Sequence, residues 1–291
     1  MAAAALLAAP ALAQNVKVEF AASDDSDEFR ERAWALGYVS RGGWGLRARH
    51  LDFRAPGWQR LGQAVEVGYE GALAGGQGLA RLGAASVAGR EHAVGLLEWQ
   101  RALGADLTLG VSVERDLVAS ERAIDAGVVH TALAVTGDYQ FNERFNVGWM
   151  AGSTHFSNDN DRPIARTRWN CLLHEPWGLN AYLKTRNYRN SNPGRPEYYS
   201  PSRLDEASVG ISARTRLSAS VVLSLSGDVG RQSTTDARER IWSSALALSS
   251  PPRATGLVWS ARWSVSNTAT NATSAGGYRY TALQLQVTAP L

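Results

Sequence analysis

The chain has 291 residues, of which 44% are apolar, 20% charged and 9% aromatic, and its 30 basic against 27 acidic side chains leave a net charge of +3. It is too apolar for a disordered protein and too evenly charged to imply a nucleic-acid partner. One cysteine supports neither a disulfide framework nor a cysteine zinc site, and beyond residue 13 no apolar run approaches the ~20 residues of a membrane-spanning helix.

The first segment reads MAAAALLAAPALAQ. The run Ala2–Ala13 is apolar, too short to span a membrane, and ends in Ala11-Leu12-Ala13, the small–any–small pattern that signal peptidase prefers. It lacks the positive opening stretch of such leaders, as a truncated leader would. Residues 1–13 are therefore expected to be a signal peptide, and 14–291 one exported domain with Cys171 unpaired. The alternative for the leader is a short buried helix.

From residue 14 onward the hydrophobic period is two. Ala105, Leu107, Leu109, Val111 and Val113 alternate with Asp106, Thr108, Gly110, Ser112 and Glu114. Ala207, Val209, Ile211 and Ala213 alternate with Glu206, Ser208, Gly210, Ser212 and Arg214; Leu257, Trp259, Ala261, Trp263 and Val265 do the same against Val258, Ser260, Arg262, Ser264 and Ser266. A strand between an apolar phase and water has this pattern. Such segments fall near 15–21, 31–40, 44–53, 61–71, 78–87, 91–101, 105–115, 123–138, 143–155, 163–173, 177–188, 203–215, 218–230, 239–249, 255–266 and 278–288. Most run about 9–13 residues, the length of a tilted transmembrane strand rather than the ~5–6 of a soluble one. The expected fold is all-β: an antiparallel transmembrane barrel of sixteen strands, or fourteen if two weak segments merge.

The connections form a second pattern. Even-numbered ones are short (SRGG, ALAGGQ, ALG, NE, EPW, LSA), whereas odd ones include ASDDSDEFR, SNDND, NSNPGRPEYYSPSR and NTATNATSAGG. Outer-membrane barrels have short periplasmic turns and longer external loops, so both termini are expected in the periplasm. GRE after residue 88 is odd-numbered and short, and fits poorly. Trp34, Tyr38, Trp44, Trp58, Tyr139, Phe141, Phe145, Tyr188, Tyr198, Tyr199, Tyr278 and Tyr280 cluster at strand ends, as interfacial girdles do.

The inward faces carry Glu66, Glu70, Glu98, Asp106, Glu114, Asp138, Glu206 and Asp228, and Arg166, Arg168, Lys184, Arg186, Arg214, Arg216 and Arg262. Acids dominate the earlier strands and bases the tenth to twelfth. Either these charges pair across strands and brace the wall, or they leave a transverse field across a watery lumen. Catalytic signals are weak. His155-Phe156-Ser157 beside Asp159 and Asp161 matches no mechanical spacing, and Ser157–Asp161 lacks that of a calcium loop. No catalytic residue, metal or cofactor is expected.

In Pro196–Gln232, Tyr198, Tyr199, Ser200 and Pro201 precede an amphipathic strand. This aromatic–aromatic–Ser–Pro segment resembles that of exopolysaccharide-export outer-membrane porins, the barrels of the poly-N-acetylglucosamine, cellulose and Pel exporters and the stand-alone YaiO family. The match covers about 40 residues by sequence; the barrel pattern covers the rest. The resemblance implies a monomeric bacterial outer-membrane conduit, associated with biofilm polymer, that moves polysaccharide passively. Tyr198, Tyr199, Ser200 and Pro201 would form its constriction, or else the tyrosines belong to the outer girdle. Lumenal Arg166, Arg168, Lys184, Arg186, Arg214 and Arg216 would touch polymer. Full-length exporters carry tetratricopeptide arrays before the barrel, and no ~34-residue helical repeat appears here. The expected partners are outer-membrane lipid, the polysaccharide and a separate periplasmic repeat protein or synthase. A plugged structural barrel and a barrel lipase or protease are the alternatives.

Overall fold

The computed structural model describes residues 14–251, 256–268 and 278–291; the expected leader lies outside them. Sixteen strands form one closed antiparallel barrel. They are β1 (Asn15–Asp25), β2 (Arg30–Val39), β3 (Trp44–Ala55), β4 (Trp58–Leu73), β5 (Gly76–Val87), β6 (Arg90–Ala102), β7 (Leu107–Leu117) and β8 (Val129–Asn142). The second half holds β9 (Phe145–Phe156), β10 (Asn160–His174), β11 (Leu179–Arg189), β12 (Arg203–Ser218), β13 (Val221–Thr234), β14 (Arg238–Ser249), β15 (Val258–Ser266) and β16 (Tyr280–Pro290). Each strand pairs with its sequence neighbours, and β1 closes on β16 from Asn15↔Pro290 to Asp25↔Tyr280. Closure leaves no sheet edge, so every ladder is satisfied within the wall, as a spanning sheet requires.

The period-two alternation decides which side chains meet lipid and which meet the lumen. On β12, Val209 and Ile211 point outward and are about 60% exposed, while Ser208 and Gly210 point inward. Leu36, Leu46, Val65, Leu82, Leu133 and Val229 are likewise exposed outward. A soluble sandwich would bury these residues; here the apolar surface is the outside. Outward aromatics gather at the end that carries the termini. Trp44 meets Tyr69 edge-on at 5.6 Å, and Phe141 packs with Tyr139, Phe145 and Trp169. Tyr188 and Tyr280, expected in the girdles, instead face the lumen. Each shares the phase of inward residues on its own strand, Arg186 for Tyr188 and Ala282 for Tyr280.

Both termini lie at one end, where the Leu291 N–H donates to the Gln14 carbonyl at 2.8 Å. The connections at that end include 40–43, 74–75, 103–106, 143–144, 175–178 and 219–220. Asp106, expected to face inward from a strand, belongs to the turn 103–106 because β7 begins at Leu107. The opposite end mixes tight turns with long segments. Ala88 and Gly89, with φ of 51° and 72°, make a two-residue hairpin turn, which explains the brevity of the ill-fitting connection. The long ones are 118–128, 190–202 and 267–279.

The expected strand 123–138 is corrected. Residues Glu121–Ala126 form a short helix, α1, and β8 begins at Val129. Ser120 caps α1, its hydroxyl accepting from the Ala123 N–H at 3.2 Å, and Gly127 ends it at φ 71°.

Candidate functional site

The site is the mouth opposite the termini, where two long connections fold inward. α1 sets Ile124 against Leu51, Phe53 and Val87, all buried among lumenal side chains of β3 and β5. On its other side Ala123 meets Val118, Val128, Phe156 and Tyr198. Polar ties fix the helix to the rim: Trp58 Nε1 and Arg60 Nε donate to the Asp125 carboxylate at 2.9 Å each.

The connection 190–202, between β11 and β12, reaches past β9 and β10 and meets α1. The Ser120 hydroxyl donates to the Glu197 carbonyl, bridging the two segments. Tyr198 is only 2% exposed and stacks on Phe156 with centroids 4.2 Å apart. Its hydroxyl accepts from Asn160 Nδ2 at 3.1 Å and donates to Asn158 Oδ1 at 2.9 Å. The Tyr199 hydroxyl accepts from Gln232 Nε2 of β13 at 3.3 Å. Ser200 Oγ accepts from the Arg195 N–H at 2.7 Å, and the Pro201 carbonyl accepts from Asn190 Nδ2 at 2.6 Å. The segment thus lies inside the mouth rather than on the outer girdle. Burial raises both tyrosine pKa values, Tyr199 to about 12, so both hydroxyls remain protonated donors.

Arg162 of β10 anchors this arrangement, and sequence reading missed it. Its guanidinium lies 4.9, 4.7 and 5.7 Å from the ring centres of Phe156, Tyr188 and Tyr198. It also donates to Asn190 Oδ1 at 2.9 Å and to the Tyr199 carbonyl at 2.7 Å. Its inward phase with Arg166 and Arg168 was the available signal. Arg162→Lys keeps the charge but loses the planar fork and most of the stacking. We expect it to loosen the 190–202 segment by about 2 kcal/mol. Limited proteolysis with a nonspecific protease should then cut this segment faster than in the wild type, with the barrel uncut; an unchanged rate would contradict the anchoring role.

Below the mouth the lumen is polar and its charges are partly paired. On one wall Lys17 pairs with Glu70, and Arg47 bridges Glu19 and Glu66. Arg49 lies 3.6 Å from Glu66 and 2.8 Å from Asp116. Lys17, Glu19, Arg47, Glu66 and Glu70, with Arg81 and Glu98, border a lumenal cavity of about 420 Å³. On the other wall Arg186 pairs with Glu206 at 2.5 Å, and Lys184 with Asp228 at 2.8 Å. Asp228 also accepts from Tyr182 at 3.0 Å and Ser243 at 2.6 Å. Arg168 sits 3.8 Å over the Tyr182 ring and donates to Asn170.

Among the described residues, Arg166, Arg214, Arg216 and Arg262 make no hydrogen bond or ion pair through their side chains, and neither do Glu98, Glu114 and Asp138. Pairing therefore braces the wall in part and leaves these acids on β6–β8 and these bases on β10, β12 and β15 outside it. His155 Nδ1 and Asp161 Oδ1 do meet, at 2.8 Å, but on the exposed outer rim. Ser157 Oγ accepts from the Val129 N–H at 3.1 Å. Among the described residues no cluster of acids, histidines or cysteine could hold a metal ion.

The fold is similar to a solved structure described as a bacterial polysaccharide outer membrane secretin. The identity is 14% over 97% of this chain and 99% of that one, with a TM-score of 0.72. It is also similar to CdiB from Acinetobacter baumannii, at 10% identity over 94% of this chain and 60% of that one, TM-score 0.52. A lower TM-score of 0.42 relates it to the outer membrane channel DcaP of Acinetobacter baumannii, at 9% identity over 96% of each chain. No family model and no curated protein matches the sequence. At such identities the likeness is one of fold: this chain is a closed sixteen-stranded antiparallel barrel resembling solved outer-membrane barrels such as that secretin.

Proposed function

We propose that this chain is a bacterial outer-membrane conduit for an exopolysaccharide, in the manner of the stand-alone export barrels, with both termini in the periplasm. The observation that carries the reading is the mouth itself. A polar lumen narrows between two inward segments, α1 and 190–202, which are bonded to each other and rimmed by Tyr199, Arg162, Asn190 and Gln232. Neutral tyrosine hydroxyls, amides and guanidinium groups suit the hydroxyls and ring faces of sugars. The likeness in fold to a polysaccharide secretin along nearly the whole chain supports the same reading. In this conduit Tyr198 holds the segment through Phe156 while Tyr199, Ser200 and Pro201 shape the constriction. Arg166, Arg214 and Arg216 offer uncommitted donors to polymer, whereas Arg168, Lys184 and Arg186 are already engaged with wall groups. Transport is passive and follows delivery by a periplasmic repeat protein or synthase; the barrel acts as a monomer in the lipid.

Single-channel recording of the purified protein in a planar bilayer, with and without neutral and anionic oligosaccharides, tests this reading. Steady conductance blocked by one sugar class is expected. Conductance that neither class blocks would overturn the polysaccharide reading. Insertion without conductance would favour a plugged barrel, a second reading that α1 favours by filling part of the mouth.

A further inference from the structure

The outer face carries a feature that a conduit does not need. Arg189 of β11 lies directly opposite Arg203 of β12, and Arg231 of β13 directly opposite Arg240 of β14. Arg238 of β14 stands beside them, opposite Ser233. All five are exposed and point away from the lumen, since their neighbours Tyr188, Leu204, Gln232 and Ile241 are buried inward. Like charges directly opposite one another on adjacent strands destabilise a sheet. The acids near this patch are Asp205 and the turn residue Asp236. Asp205 bonds Arg203 at 2.5 Å and Asn187 at 2.8 Å. Among the described residues Arg189, Arg231, Arg238 and Arg240 have no ion-pair partner.

Position completes the argument. Leu183, Val209, Val229 and Trp242 lie in register with one another, all outward and exposed; Val229 and Trp242 are two residues nearer the middle of the barrel than Arg231 and Arg240, and Leu183 and Val209 six residues nearer than Arg189 and Arg203. Arg231 and Arg240 thus stand just beyond the margin of the apolar band, and Arg189 and Arg203 four residues further toward the mouth, past Asn187 and Asp205. Groups at that height meet lipid headgroups, while the band below meets acyl chains. Guanidinium forks spaced across adjacent strands match phosphate oxygens, which would also relieve the repulsion between the opposed arginines.

We infer that the outer faces of β11–β14 form a binding site for a phosphorylated lipid headgroup of the leaflet around the mouth. The ligand class is a glycolipid carrying phosphate, with its acyl chains along Leu183, Val209, Val229 and Trp242. The inference rests on the membrane embedding and orientation proposed above, but not on the transported polymer.

Native mass spectrometry of the full chain in detergent tests it. The probes are a bisphosphorylated glycolipid, its dephosphorylated form and inorganic phosphate. The wild type should retain the phosphorylated glycolipid and not the dephosphorylated one. Combining Arg189→Gln, Arg231→Gln and Arg240→Gln should weaken retention about a hundredfold, the worth of three basic side chains at an anionic surface. Equal retention by the variant, equal retention of the dephosphorylated lipid, or displacement by equimolar inorganic phosphate would each overturn the site. The substituted side chains all face outward, so unchanged variant conductance confirms a folded barrel. Labelling of Asn192→Cys, in a chain also carrying Cys171→Ser, from outside intact cells tests the orientation separately. A label reached only from the periplasmic side would overturn the outer leaflet as the lipid source, even if binding in detergent persisted.

Discussion

Replacing residues 119–127 with Asn-Gly should raise single-channel conductance severalfold while leaving the barrel closed. The excision is clean in geometry. The Val118 N–H already donates to the Val128 carbonyl at 3.2 Å, and Leu117 pairs with Val129, so β7 and β8 approach as a hairpin whose ends a two-residue turn can join. What is lost is the inward element. Ile124, 1% exposed, leaves Leu51, Phe53 and Val87, and the Ser120–Glu197 tie that holds 190–202 disappears with it. Water replaces the helix, so the mouth widens. Ile124→Asp should act in the same direction by a smaller amount, because a charge among these apolar side chains favours ejecting α1 over burying it. Planar-bilayer recording of both variants checks this. Conductance equal to the wild type in both would show that α1 does not limit the pore.

The second large effect is on stability. Asp228→Ala should lower unfolding stability by about 3 kcal/mol, at the low end for a broken buried pair because Lys184 keeps part of its surface in water. Asp228 is 8% exposed and accepts from Tyr182, Lys184 and Ser243, joining β11, β13 and β14 at one point. Gly210, on the strand between, makes this unit fit. A Cβ there would come within 2.6 Å of Tyr182 Cζ and 2.7 Å of Asp228 Cβ. Gly210→Val should therefore push Tyr182 off Asp228 and cost about 2 kcal/mol. Asp228→Asn, which keeps acceptor capacity, should lie between wild type and Asp228→Ala. The temperature at which the folded band converts to the unfolded one on electrophoresis should fall in the order wild type, Asp228→Asn, Asp228→Ala. No shift for Asp228→Ala would show that the wall does not depend on this unit.

Much of this molecule was legible because a membrane barrel is written in a local code. Alternation of Ala207, Val209 and Ile211 with Glu206, Ser208 and Gly210 fixes both the strand and its faces, since side-chain direction in a strand depends only on parity. All sixteen expected segments correspond to a strand, and the inward placement of Arg166, Arg168, Lys184, Arg186, Arg214 and Arg216 follows from the same parity. Parity would also have placed Tyr188, which was assigned by its nearness to a strand end instead. Helix α1 had a local signature as well, with a Ser120 cap and Gly127 stop, but its single apolar face is too short to stand out from the strand that follows.

The sequence by itself determined the class of fold, the run of the strands and the sign of each face, because each depends on residues one or two positions apart. Tertiary structure alone decided which charges neutralise one another, that 118–128 and 190–202 turn inward and meet, and that Arg162 lies among Phe156, Tyr188 and Tyr198. These contacts join residues such as Ser120 and Glu197, 77 positions apart. Closing the wall sets the distance across the lumen, and that distance decides which opposed side chains can touch.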